Sequence, residues 1–197
     1  WRTLLIDADL RRGYLNETFA LPGTPGLIEY LEGSSTVDDV IFETSHANLA
    51  MIPGGTRHRR APELLATPRL RELITLLGRR YDAIIVDTPP LGAGTDAYAI
   101  ATATTHLAIV LRGGTTDVKM AKAKLETLDR LPVHAIGAIL NGVATDDAVY
   151  QYYAYDASYA VIESGARGAE PELARLGPAE VESESGPVDD RDARTDR

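Results

Sequence analysis

The chain has 197 residues, 44% of them hydrophobic and 25% charged, enough for one well-packed domain and a tail. Its formal net charge of −9 and isoelectric point near 4.9 exclude a general nucleic-acid binder, whose affinity rests on a broad basic face. Cysteine is absent, which excludes disulfides and thiolate metal sites, and no apolar run reaches the length of a membrane span.

In chain order, Thr3-Leu4-Leu5-Ile6 is a short apolar run ending at Asp7-Ala8-Asp9, the pattern of a buried parallel strand that delivers two acids at its carboxyl end. Ligands of open α/β sheets bind at that edge. Because Trp1 leads into this strand almost at once, further sequence is expected upstream. Residues 10–26 read as loop, Leu27 to Leu31 as a short helix stopped by Gly33, and Leu49 to Ile52 as a second strand ending in Pro53-Gly54-Gly55. Apolar residues at 64, 65, 70, 73, 74, 76 and 77 predict one helix over 63–77, closed by Gly78. Ala83 to Val86 is a third strand, and Asp87-Thr88-Pro89-Pro90 ends it because proline cannot continue the ladder. Leu107 to Leu111 predicts a fourth strand, 117–130 a helix capped by Thr116 or Asp117, and Ala135 to Leu140 a fifth strand ending at Asn141. This alternation predicts an α/β fold, a doubly wound parallel sheet covered by helices on both faces.

Five of the nine tyrosines, Tyr150, Tyr152, Tyr153, Tyr155 and Tyr159, fall within ten residues, separated by small and polar ones. A buried ring needs apolar neighbours and a partner for its hydroxyl. Two readings stand: a phosphoacceptor segment, or an amphipathic element packing its rings on the domain, although no helical or alternating face collects all five. From Glu163 to Arg197 ten acidic residues oppose five basic ones, and the scarcity of apolar side chains predicts disorder. The chain therefore divides into a nucleotide-binding-like domain at 1–149, a tyrosine cluster at 150–160 and a disordered acidic tail at 161–197.

Asp7 and Asp9, with Asp87 at another strand tip, make a cluster that needs a cation or a proton. Magnesium suits it, since that ion takes one or two carboxylates, often through water, and completes its octahedron with phosphate oxygens. A neighbouring carboxylate can accept the proton of an attacking hydroxyl in phosphoryl transfer. Taken singly, such acids more often cap helices or turns. The basic run Arg57-His58-Arg59-Arg60 reads as a solvated loop in preference to an anion or acidic-tail site. The four histidines, at 46, 58, 106 and 134, lack metal-ligand spacing.

Together these segments resemble the bacterial tyrosine kinases, the cytoplasmic autokinases of capsule and exopolysaccharide production, relatives of the partitioning and division-site ATPases with deviant Walker motifs. The run L-L-I-D-A-D-L-R-R at 4–12 resembles their modified second Walker motif, and I-I-V-D-T-P-P at 84–90 their Walker B motif. Further matches follow in the family's order: G-L-I-E-Y-L-E-G at 26–33, I-P-G-G at 52–55, A-P-E-L-L at 61–65, T-D-A at 95–97, V-L-R-G-G-T at 110–115 and I-L-N-G-V at 139–143. The resemblance covers about residues 1–160.

The resemblance implies a P-loop NTPase-like fold, ATP and Mg2+ as cofactors, and ATP-dependent autophosphorylation on tyrosine. It makes Asp7 the proton acceptor near magnesium, Asp9 its partner in the acidic cluster and Asp87 the ligand of hydrated magnesium. It sets Asn141 near the adenine, and Arg11 with Arg12 near phosphates or a neighbour's acidic surface, with a purely structural role as the alternative for that pair. Tyr150, Tyr152, Tyr153, Tyr155 and Tyr159 become phosphoacceptors, offered in trans within a homo-oligomeric ring. The implied partner is a transmembrane activator, or fused membrane region, of a polysaccharide export system at the cytoplasmic face of the bacterial plasma membrane. No nucleic-acid partner is expected.

The family's phosphate loop, G-x-x-x-x-G-K-[ST], occurs nowhere in these residues. In the family it precedes the Asp7 motif by one βα unit, about 30 residues. Its strand would occupy the middle of the sheet, so these residues are expected to form a domain lacking its first strand and phosphate loop, destabilised and by itself inactive. Two other functions stay open. One is a partitioning-type ATPase switch, against which the tyrosine cluster counts, and the other is a non-catalytic regulatory remnant.

Overall fold

In the computed structural model, which describes residues 1–143, the strand β1 (Thr3–Asp7) lies at the centre of the larger of two sheets. It is flanked on one side by β3 (Leu49–Ile52) and on the other by β4 (Ala83–Asp87), and both pairings are parallel. A two-residue strand, β2 (Phe42–Glu43), adds an antiparallel edge to β3. The side chains of Leu4 and Ile6 are fully buried, as the unbroken apolar run requires of a strand covered by helices. The tyrosine cluster and the acidic tail lie outside the described residues.

Five helices precede the strand that starts at His106, in addition to a short 3-10 turn at Asp38–Val40. The first, α1 (Leu15–Thr18), stands where the sequence reads as loop; four residues carry no periodicity to reveal it. The second, α2 (Leu27–Glu32), ends as expected at Gly33, whose positive φ of 85° suits glycine. The single helix expected over 63–77 is two, α3 (Ala61–Leu65) and α4 (Pro68–Leu77). Proline forces the preceding residue out of the helical region, and Thr67 accordingly sits at φ −75°, ψ 156°. Pro68 then starts α4 from the first helical position, where its missing N–H costs nothing. Leu70, Leu73 and Leu77 form the buried stripe of α4.

These residues pack with Leu27, Ile28 and Leu31 of α2, Leu65 of α3 and the inner faces of β1 and β3 into one core. Each such side chain contributes about 1.5–3 kcal/mol on burial. Ile100 joins them from α5 (Asp96–Thr104), a helix the sequence does not announce because its alanines and threonines make no apolar stripe.

The remaining strands, β5 (His106–Arg112) and β6 (His134–Asn141), pair in parallel as a separate two-stranded sheet, connected by α6 (Val118–Leu128). Asp117 caps α6, its carboxylate accepting from the Met120 N–H at 3.0 Å. The single continuous sheet expected from the strand order is thus divided between β4 and β5, with no ladder joining them among the described residues. The strands on either side of the division keep apolar residues in water: Ile85 of β4 is 56% exposed, Val110 of β5 62% and Ile136 of β6 67%. Among the described residues no helix is long and apolar enough to cross a membrane.

Candidate active site

The carboxyl ends of β1 and β4 lie side by side, with Asp7 in register opposite Asp87 and the Ala8 N–H donating to the Asp87 carbonyl at 2.9 Å. Asp7 is 1% exposed. Its Oδ2 accepts from the Leu15 N–H at 3.3 Å, while its Oδ1 is buried with no hydrogen-bond partner. Gly13 closes the loop over this carboxylate: a β-carbon there would stand 2.6 Å from both Asp7 oxygens. Burial pushes the Asp7 carboxyl above its ordinary range, the Leu15 N–H works against it, and the charge of Asp87 adds to the rise. Asp87 is more open, yet partial loss of solvent around its carboxyl still raises it, with the charge of Asp9 second.

Asp9 has a different local task. Its Oδ1 accepts from the N–H groups of Arg11 at 3.3 Å and Arg12 at 3.1 Å, so it caps the turn that carries the chain away from β1. The capping role expected of an isolated strand-tip acid therefore describes Asp9, whose charge still reaches Asp7 and Asp87. β1 itself ends at Asp7 and does not run through both acids.

Asp7 and Asp87 fit a magnesium ion held partly through water. The partnerless buried Oδ1 and the two raised carboxyls each call for a positive charge or a proton. No three acid or imidazole groups among the described residues enclose a metal by themselves.

Arg11 pairs with Asp96 and keeps part of its guanidinium exposed. Its guanidinium donates from Nε to Asp96 Oδ2 at 2.8 Å and from Nη2 to Oδ1 at 3.3 Å, binding the loop after β1 to the start of α5. Asp96 is a positioning residue that reading the sequence missed, although it lies within the T-D-A run at 95–97. Asn141 ends β6 in the smaller sheet, in register with Arg112, and its Oδ1 accepts from the Gly142 N–H at 2.8 Å. Tyr150, Tyr152, Tyr153, Tyr155 and Tyr159 lie outside the described residues. The basic run after Gly55 borders, with Leu10, Arg11, Ala61 and Pro62, a recess of about 340 Å3.

No protein-family model matches the chain. It is 36% identical over 149 residues to the tyrosine-protein kinase Ptk of Acinetobacter johnsonii, a match covering 76% of this chain and 20% of that protein. The chain thus spans about a fifth of the length of that relative and of the kinase Etk of Escherichia coli. It is 33% identical over 154 residues to the tyrosine-protein kinase CpsD of Streptococcus agalactiae, covering 78% of this chain and 67% of CpsD. The solved kinase domain of Escherichia coli Etk superposes with a TM-score of 0.71 at 35% identity, over 75% of this chain and 58% of that one. The cell-division ATPase MinD of Pyrococcus furiosus shares the fold, with a TM-score of 0.62 at 23% identity over 74% of this chain and 61% of MinD. The order of motifs, the P-loop NTPase-like fold with its acids at the strand tips, and these likenesses agree: the chain belongs to the bacterial tyrosine kinases.

Proposed function

We propose that the complete protein is an ATP-dependent tyrosine autokinase that regulates capsule or exopolysaccharide production. The observation that carries this reading is the register pair Asp7 and Asp87, with one buried carboxylate oxygen of Asp7 left without a partner. Asp87 and Asp7 would hold hydrated magnesium, which when bound with ATP neutralises the phosphate charge of the loose transition state. Asp7 takes the proton of a tyrosine hydroxyl, its partnerless Oδ1 being the oxygen left free to accept it. Gly13 and the Arg11–Asp96 pair keep the surrounding loop in place. Asn141 serves the adenine side. This reading requires a phosphate loop, which these 197 residues do not contain.

The phosphoacceptors are Tyr150, Tyr152, Tyr153, Tyr155 and Tyr159, offered to a neighbouring subunit in a ring. Each phosphate adds about −1.5 to −2 charges, so several on one short segment repel acidic neighbours and release it. The partner is a transmembrane activator, or fused membrane region, at the cytoplasmic face of the membrane.

Asp7→Asn and Asp87→Asn in the complete protein test the reading by anti-phosphotyrosine detection. Both should remove the signal. Phosphotyrosine persisting in both variants would remove these acids from the chemistry, and ATP hydrolysis without phosphotyrosine in the unaltered protein would favour a partitioning-type switch.

A further inference from the structure

We propose that the recess between Leu10-Arg11 and the loop Arg57-His58-Arg59 docks the acidic flanks of the tyrosine segment of a second copy of this chain. The site thereby selects tyrosines that have aspartate neighbours. The substrate part of this inference rests on the kinase reading above.

Position is the first support. The loop leaves β3, the parallel neighbour of β1, and Gly54 at its root packs on the acid loop: a β-carbon there would lie 3.5 Å from Leu10 Cδ2 and 4.0 Å from Asp7 Cγ. The recess therefore opens at the same sheet edge as Asp7. A segment anchored there has its tyrosines within a short reach of that carboxylate.

Charge is the second. In a chain of net charge −9, Arg57, Arg59 and Arg60 are all exposed, and none has a carboxylate within 4.0 Å among the described residues. No acid lines the recess, and those that bond to its lining residues are engaged in doing so. Asp96 binds Arg11, Asp9 caps the turn, and Glu32 Oε1 stands 3.5 Å from His58 Nε2. Arg11 remains 48% exposed beyond its bond to Asp96. Planar guanidinium groups pair bidentately with carboxylates, which gives geometry as well as attraction.

The loop is also held in advance. At its start the Thr56 N–H donates to Glu29 Oε1 at 3.0 Å, and at its end the Ala61 N–H donates to the His58 carbonyl at 3.2 Å. Between them the Arg60 N–H meets His58 Nδ1 at 3.2 Å. Such fixing lowers the ordering cost of binding. A recess of about 340 Å3 matches one or two acidic side chains with their water.

The occupant follows from the sequence. Asp146 and Asp147 precede Tyr150, Asp156 lies between Tyr155 and Tyr159, and no lysine or arginine occurs from Gly142 to Ala166. That stretch is the complement of the basic loop.

The test uses the full chain and two fluorescent peptides of residues 144–160, one native and one with Asp146, Asp147 and Asp156 replaced by asparagine. By anisotropy the native peptide should bind about tenfold more tightly, the equivalent of one charge-assisted hydrogen bond. Arg57→Gln with Arg59→Gln should erase that preference, whereas Lys122→Gln with Lys124→Gln, an equal loss of charge on α6, should keep it. Equal binding of the two peptides, or a preference that survives the arginine substitutions, overturns the proposal. In the complete kinase the arginine substitutions should raise KM about tenfold for the native peptide and leave kcat unchanged. Absence of phosphotyrosine on either peptide would sink the kinase reading while the binding comparison still decides the docking site.

Discussion

Arg11 and Asp96 lie 85 positions apart in sequence and are joined twice, Nε to Oδ2 at 2.8 Å and Nη2 to Oδ1 at 3.3 Å. Asp96 is 3% exposed and opens α5, while the arginine keeps about half its surface in water. The hydrogen bond that Arg11 donates to Asp96 raises the guanidinium pKa further still. The asymmetry sets an order of costs. Arg11→Gln strands a buried carboxylate, whereas Asp96→Asn leaves a guanidinium that water can reach. Thermal scans should show Arg11→Gln losing several degrees and Asp96→Asn less. The reverse order would mean that the pair does not hold the loop.

Asp7→Asn should stabilise the fold at neutral pH. Burial raises the Asp7 carboxyl above its model-peptide value of 3.8, with the charge of Asp87 adding to the rise. A carboxyl raised in the folded state contributes stability that is fully present below the unfolded pKa and lost as pH rises through the folded one. Above that window the wild type holds a buried charge that asparagine does not. Urea midpoints should favour the variant at pH 7 and converge as pH falls. Equal midpoints at pH 7 would contradict the burial argument.

Glu29 should act in the opposite sense. Its Oε2 accepts from the Gly26 N–H at 2.7 Å and its Oε1 from the Thr56 N–H at 3.0 Å, so one carboxylate caps α2 and fastens the start of the basic loop. Burial pushes this carboxyl up, but the bonds from Thr56 and Gly26 outweigh it and leave it lowered. A lowered carboxyl contributes stability above the unfolded value near 4.5 and loses it as pH falls through the folded value. Glu29→Ala should cost about 1–2 kcal/mol at pH 7 by denaturant titration. The two curves should meet in acid.

Gly13→Ala separates site from scaffold. The new methyl group would meet the Asp7 carboxylate at 2.6 Å, and the loop must retreat. Phosphotyrosine formation by the complete protein should fall by about tenfold or more, since small displacements of catalytic groups are costly. The melting temperature should move by only a few degrees. Full activity would show that the loop can close over Asp7 without glycine.

All five principal strands were legible because each is an apolar run with a hard stop, such as Asp87-Thr88-Pro89-Pro90 after β4. That Asp7 and Asp87 both end strands was legible, whereas their register is set by the ladder between β1 and β4 and comes from the structure. The break between α3 and α4 was also written in the sequence, at Thr67-Pro68, but the apolar spacing across it reads as one helix. α5 was not legible, because Ala97, Ala99, Ala101 and Ala103 mark no face. Nor was the role of Asp96, whose partner is set by tertiary packing and not by local spacing.

The smaller sheet sets a limit on how long the fold persists. Every residue of β6 is exposed, and β5 alternates between exposed and half-covered positions. A two-stranded ribbon is marginal in water when no apolar face is covered. Its amides should therefore exchange with solvent deuterium well before those of β1 and β3, and its opening need not disturb the acids. Whatever covers Val110, Ile136 and Ile139 governs the lifetime of the half of the domain that carries Asn141, while the half that carries Asp7 endures on its own core.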